Sequence, residues 1–387
     1  MSDWPWQLTF EVDFTTDPGD TPTTWVDLSA RVRHGISITY GTPQGGTCRL
    51  QLNNRDRALD PTNPSAAYPL DVMRHARVTV DYDGTTHPLW RGFVEEWPPL
   101  WPQYNQGLVD VELVDGSAWL ALQEADLDLE RQTTGQRIGA LLDLAGWPAG
   151  LRQIDPGVVL LEEVEQESAN LLRTIIDCAD AEDADLYFAP DGVLTFTSRH
   201  DRFDSTFTFT VGDQGVPVAQ VDPVYGAGRV ANTVSVQLSD GRVFEAVDLD
   251  SIERRGPRYR PVRDLPLPKV EAVALAEWEV YRYSEPSLWL DRVQLRSHAT
   301  GALADVLPAR QGDLVRFRHL PPGGGEVIYD GHIEQVQHQA GSGEWLTTFD
   351  LSPYFGAGPW GASLPDGASG DAWWLADAAT EGPRWAP

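Results

Sequence analysis

Cysteine is almost absent, with only Cys48 and Cys178 in 387 residues. That excludes a disulfide scaffold and a four-cysteine zinc site, and it fits a protein made in a reducing cytosol. Lysine is scarcer still: Lys269 is the only one, so arginine supplies nearly all of the basic charge. Basic charge is itself short, since 58 acidic against 29 basic side chains leave a net charge of −29. Such a chain lacks the basic face that sequence-independent nucleic-acid binding or an anionic membrane surface would require. No apolar run approaches the ~20 residues of a membrane span. The opening MSDWPWQLTF has no basic region followed by an apolar core, so no signal peptide is expected. HExxH, CxxC, GxSxG and a phosphate-binding glycine loop are all missing. No catalytic residue, metal ligand or cofactor is therefore assigned, and the chain is read as a non-enzyme.

What is present is β-structure at both ends. Alternating apolar runs recur at Gln7–Phe14, Ile36–Tyr40, Cys48–Leu52, Ala76–Tyr82 and Leu108–Val114, separated by turn clusters such as TDPGD and YDGTT. The character changes after residue 125. Thr134 caps a predicted helix ending at Gly146, and a second helix over about 168–181 carries Leu171, Leu172, Ile175 and Ile176 on one stripe, with Cys178 beside it as a buried thiol. The hairpin ADLYFAPDGVLTFTSR follows. From residue 205 the alternation returns, interrupted by a helix near 269–283. The expected organisation is mainly β with an α+β insert: a β-barrel over 1–125, a two-helix plus hairpin domain over 126–204, and a second β-barrel over 205–355 with the helical insertion. A Trp-, Gly- and Ala-rich extended arm is expected over 356–387.

One self-similarity organises the chain. Leu89-Trp90-Arg91-Gly92-Phe93-Val94-Glu95-Glu96 matches Ile328-Tyr329-Asp330-Gly331-His332-Ile333-Glu334-Gln335, 239 residues further on (328 minus 89). An alternating strand precedes each block (76–82 and 313–319), and another follows each (109–115 and 346–352). The two barrels are thus read as related copies.

The order of these motifs resembles the baseplate or tail-tip hub of bacteriophage tails, in particular the minor tail proteins of siphophages of actinobacteria. The resemblance rests on LNNRDRALDP–NP–Y (52–68), on Arg77-Val78-Thr79-Val80 followed by LWRGFVEEW, and on the ADLYFAPDGVLTFTSR hairpin. It rests also on Ser251-Ile252-Glu253 with Gly256 and Arg258, where Arg255 occupies a place usually taken by an aromatic residue. The resemblance implies a structural virion protein, assembled in the host cytoplasm, that forms a homotrimeric hub. Two barrels in each of three chains would give six similar units, matching a sixfold tube to a threefold tip. It implies a distal tail protein or tail tube ring above, a tape measure protein inside, and receptor-binding or other minor tail proteins below. DNA would pass through without specific binding, eased by any acidic lining of the lumen. The alternatives are a tail-associated peptidoglycan hydrolase or glycosidase, for which the residues after the second barrel are too few to make a catalytic domain, and a carbohydrate-binding adhesin.

Fifteen tryptophans supply candidate contact residues. Trp360, Trp373, Trp374 and Trp385 lie in a glycine-rich segment that gains nothing from such rings unless they are buried on another subunit, another tail protein or their own chain. Trp90 and Tyr329, the aromatic residues of the repeat, are further interface candidates. His332 and His338 alternate on one strand with no third ligand nearby, so polar contacts are expected of them rather than a metal.

Overall fold

The computed structural model describes residues 5–41, 45–98, 107–199, 207–296, 302–341 and 343–355. The N-terminal segment forms β1 (Trp6–Asp13), β2 (Val26–Asp27), β3 (Val32–Tyr40), β4 (Thr47–Asn53), β5 (His75–Tyr82), β6 (Thr85–Glu96) and β7 (Leu108–Val114). Strand formation follows from the two-residue period. In β5, Ala76, Val78 and Val80 are fully buried while Arg77 and Thr79 between them are not. The β5–β6 turn is Asp83-Gly84, both with positive φ (48° and 77°), the backbone that a two-residue hairpin requires.

The insert comprises α1 (Gly116–Leu120), β8 (Glu124–Leu129), β9 (Gln132–Thr133), α2 (Thr134–Leu144), β10 (Arg152–Ile154) and β11 (Leu160–Leu161). It continues through β12 (Val164–Asn170), α3 (Leu171–Glu182), β13 (Asp185–Phe188) and β14 (Leu194–Thr197). Helix α2 starts with a capping box between Thr133 and Gln136. Helix α3 begins where the Asn170 side chain accepts the Arg173 amide at 3.0 Å, and ends at Asp183 in the left-handed conformation.

The C-terminal segment forms β15 (Phe207–Gly212), β16 (Val218–Tyr225), β17 (Thr233–Leu238), β18 (Val243–Val247), α4 (Leu249–Arg255), β19 (Tyr259–Leu265) and α5 (Lys269–Tyr283). After these come β20 (Leu288–Leu295), α6 (Leu303–Val306), β21 (Leu314–His319), β22 (Val327–Gly341) and β23 (Glu344–Pro353). In α4, the Ser-Ile-Glu motif of the resemblance, Ser251 donates to the Ser284 carbonyl at 2.6 Å, and Arg255 pairs with Glu285 at 2.5 Å.

The protein is mainly β. The two terminal units, expected as separate barrels, share one 13-stranded sheet in the order β16-β20-β23-β22-β3-β4-β7-β6-β5-β1-β2, with β21 beside β22 and β15 beside β21. Among the described residues no strand pairing closes this sheet on itself. The reason lies in β22, whose fifteen residues overrun its partner β21: Val327–His332 pair with β21, and Val336–Ala340 pair with β3 of the other unit.

Two cores result. One lines the large sheet and draws on both ends of the chain, including Phe10, Ile38, Val78, Val293, Val336 and Phe349. The other gathers α2, α3 and the β13–β14 hairpin with the small sheet β18-β17-β19 and α5. Residues 230–283, read from sequence as part of the second barrel, thus pack with the insert. Asp183 at the end of α3 fastens α5 there, accepting from Trp278 Nε1 at 2.7 Å and Arg282 Nη1 at 2.6 Å.

Candidate subunit-contact surface

From His75 to Val78 the repeat keeps its register, before a bulge in β6 that β22 lacks. His75 faces Phe93 and Arg77 faces Arg91 in β5–β6; Leu314 faces His332 and Arg316 faces Asp330 in β21–β22. Every one of these positions is shifted by 239. The backbone entering each hairpin repeats as well. The Met73 amide donates to the Val94 carbonyl and the Val94 amide to the Arg74 carbonyl, at 2.7 and 2.8 Å; Gly312, Ile333 and Asp313 reproduce the pair at 2.8 and 2.9 Å. Met73 and Gly312 both adopt positive φ, 56° and 85°. A β-bulge follows Val94 in one hairpin and Ile333 in the other, with Glu95 and Glu334 as the extra residues.

Two further strands repeat. Leu50, Gln51 and Leu52 of β4 face Val111, Asp110 and Val109 of β7, as Val293, Gln294 and Leu295 of β20 face Phe349, Thr348 and Thr347 of β23. Next, Ile36 of β3 faces Leu50, as Val221 of β16 faces Val293. Five strands, β3–β7, therefore recur in the same chain order as β16 and β20–β23. The added pairs carry a visible sequence signal, Arg-Leu-Gln-Leu at 49–52 against Arg-Val-Gln-Leu at 292–295, and Tyr40-Gly41 against Tyr225-Gly226.

The units meet at β3–β22, where Tyr40, Thr39, Ile38, Ser37 and Ile36 face Val336 to Ala340 in antiparallel register. A buried polar chain seals this joint. The Tyr40 hydroxyl donates to the Ala309 carbonyl at 3.1 Å and lies 3.2 Å from His338 Nε2. Trp345 Nε1 donates to His338 Nδ1 at 3.3 Å, and the Thr347 hydroxyl sits 3.0 Å from the same nitrogen. With both of those groups on Nδ1, the ring proton belongs on Nε2, donating to the Tyr40 oxygen. Complete burial pushes the His338 pKa down to about 3, so the ring is neutral. His338 is thus a structural histidine at the joint. His332 points Nδ1 at the Gly312 carbonyl, 3.0 Å away. Among the described residues no three His, Cys, Asp or Glu side chains are placed to hold a metal ion.

The edges of the sheet are unequal. Strand β3 is covered on one side by β22, whereas its counterpart β16 ends the sheet with nothing paired beyond it among the described residues. Val224 is 40% and Tyr225 71% exposed there, while Tyr40 is 1% exposed. The interface candidates fare differently. Trp90 and Tyr329 occupy equivalent sites (329 minus 90 is 239) and are buried in the sheet's core, so neither ring is presented at the surface of the chain. Trp360, Trp373, Trp374 and Trp385 lie outside the described residues. Sequence reading missed Tyr225, whose only signal was the recurring Tyr-Gly pair.

No protein-family model matches the chain, and no curated protein sequence matches it. Solved structures do. The 43 kDa tail protein of prophage MuSo2 from Shewanella oneidensis aligns with a TM-score of 0.57 at 15% identity, over 90% of this chain and 98% of that one. The tail protein from Neisseria meningitidis MC58 gives 0.60 at 11% identity, over 90% and 96%. Prophage tail protein gp18 from Listeria monocytogenes EGD-e gives 0.52 at 15% identity, over 89% and 94%. The chain therefore has the fold of these phage and prophage tail proteins along nearly its whole described length.

Proposed function

We propose that this protein is a non-enzymatic structural component of a phage tail, a hub at the tail tip that assembles as a homotrimer. The observation that carries this reading is the five-strand duplication joined edge to edge through β3 and β22. Two equivalent units fixed in one chain form a third of a six-unit ring, and three chains complete it with the geometry needed to meet a sixfold tube from a threefold tip. A tube ring or distal tail protein would dock on one side, receptor-binding or other minor tail proteins on the other, and the tape measure protein and DNA would occupy the centre. The hub would close or gate the tube. The polar sheet face around the joint, with Arg49 paired to Glu112 at 2.6 Å and Gln51 donating to Asp110 at 2.7 Å, suits a lumen wall. Its cations are already neutralised, so DNA would slide past it. Sedimentation equilibrium or electron microscopy of the purified protein tests the reading. A ring of three chains supports it, and a stable monomer at high concentration overturns it.

A further inference from the structure

Cations are scarce in this chain, yet they are concentrated in one place. Residues 254–263 read RRGPRYRPVR, which puts five of the 29 basic residues in ten positions with no acid among them. They span the end of α4 and most of β19. Strand β19 ends the small sheet β18-β17-β19, with nothing paired beyond it among the described residues. Tyr259 and Arg263 on this strand are both exposed, Tyr259 at 74%. Arg258 and Arg263 form no ion pair among the described residues, so positive charge remains on this edge.

Beside the edge lies a stack of half-buried rings. The Arg229 guanidinium sits 4.2 Å over the Trp289 ring, Trp289 stacks on Tyr283 with centroids 6.2 Å apart, and Arg260 sits 4.4 Å over Tyr283. The Arg229 and Arg260 side chains keep 41% and 45% of their surface exposed. A guanidinium is a flat group with two faces, so each can take a second ring. Phe355, the last described residue, already belongs to this stack. Its ring meets Tyr283 edge-on at 6.4 Å and lies 5.6 Å from the Arg282 guanidinium.

We propose that residues 356–387 dock on this surface of their own chain, with tryptophan rings on the Arg229 and Arg260 guanidiniums and aspartates along the arginines of 254–263. Three observations select that occupant. The segment leaves from Phe355, on the stack itself, and Trp360 five residues on is within about 17 Å of it at full extension. Its charge is complementary: Asp366, Asp371, Asp377 and Glu381 against Arg384 alone give −3 (1 minus 4). Its rings are Trp360, Trp373, Trp374 and Trp385, and tryptophan is the ring a guanidinium binds best. Any other chain must compete with a ligand tethered at the site, whose effective concentration is on the order of millimolar. The proposal is independent of the hub reading and of the number of chains in the assembly.

Chymotrypsin cleavage of the full chain after Trp373 and Trp374, followed by intact mass, reads how much of the time the segment is off the surface. Tyr259→Ala/Arg263→Glu, both at exposed positions, should speed that cleavage by about fivefold. Asp371→Arg/Asp377→Arg should do the same, and combining it with Arg263→Glu should return the rate toward wild type. Leu144→Ala, at an exposed position closing α2, should leave it unchanged. Tyr259→Cys/Ala372→Cys chains treated with a short bismaleimide should gain one bridging reagent at the mass of a single chain; the native Cys48 and Cys178 are buried. Equal cleavage rates in wild type and all variants overturn the proposal. A cross-linked product of twice the chain mass overturns it too, because it seats the segment on a second copy.

Discussion

Trp90 and Tyr329 stand at the same position of a duplicated hairpin, 2% and 6% exposed, each facing the strand that precedes it (Val78 and Phe317). The ring of Trp90 lies so close to Gly46 that a Cβ there would come within 2.9 Å of it. Its indole N–H is buried with no hydrogen-bond partner among the described residues. Trp90→Phe keeps most of the packing and removes that orphan donor. It should cost about 1–2 kcal/mol, against about 3–5 kcal/mol for Trp90→Ala, read from chemical denaturation. Equal losses would show that the ring is not packed as described.

Gly92 and Gly331 recur because the following strand crosses close to the backbone at that point. A Cβ on Gly92 would collide with the Val114 carbonyl, and one on Gly331 would lie 2.8 Å from the Ser352 carbonyl. Gly92→Ala should therefore destabilise by roughly 2–4 kcal/mol. Gly139→Ala, in α2 with open space around it, should instead stabilise by about 0.5–1 kcal/mol. Thermal melts of both variants separate a steric from a general effect.

Tyr40→Phe removes the donor to Ala309 and leaves the buried His338 Nε2 proton without its acceptor. Its expected cost is about 1–3 kcal/mol, with the sheet otherwise unchanged by circular dichroism. A neutral result would show that the hydroxyl does not carry the joint.

His338 also sets an acid limit. Its folded pKa, pushed to about 3, lies below the ordinary value of 6.5. Below pH 6.5 the unfolded chain takes up a proton that the folded chain refuses, so stability present at neutral pH drains away as pH falls toward about 3. His338→Phe lacks this loss. The stability advantage of wild type over His338→Phe should shrink steadily from pH 7 to pH 4, and a difference constant with pH would refute the assignment. Asp13 adds to the same trend. Burial opposes its charged form, yet hydrogen bonds from Thr24, Thr15 and Thr16 outweigh that and hold its pKa well below the carboxylate range.

Much of this fold was legible because burial writes a period of two into strands and a stripe into helices. The helix over 269–283 and the strands at 76–82 and 108–114 emerge in the structure close to where the pattern puts them. The duplicated hairpin was legible because its glycine is sterically fixed. The sharing of one sheet was not, since nothing local in Ile36–Tyr40 says that its partner lies some 300 residues away. Strand β16 was hidden for a different reason. It is an edge strand with Val218, Val221 and Val224 spread unevenly over two faces, and a bulge in its partner breaks the alternation. The packing of α5 on α3 depends on a charge at a helix end, Asp183, whose role no periodicity announces.

The hydrogen-bonded pair Tyr40 and His338 is separated by 298 positions. A ribosome adding residues one at a time has exposed β3 long before it makes β22, so the N-terminal unit waits with an unmatched strand edge until β22 has been synthesised. Any nascent or truncated chain ending before about residue 341 carries that edge into the cell, and it is the natural place for such fragments to stick to one another.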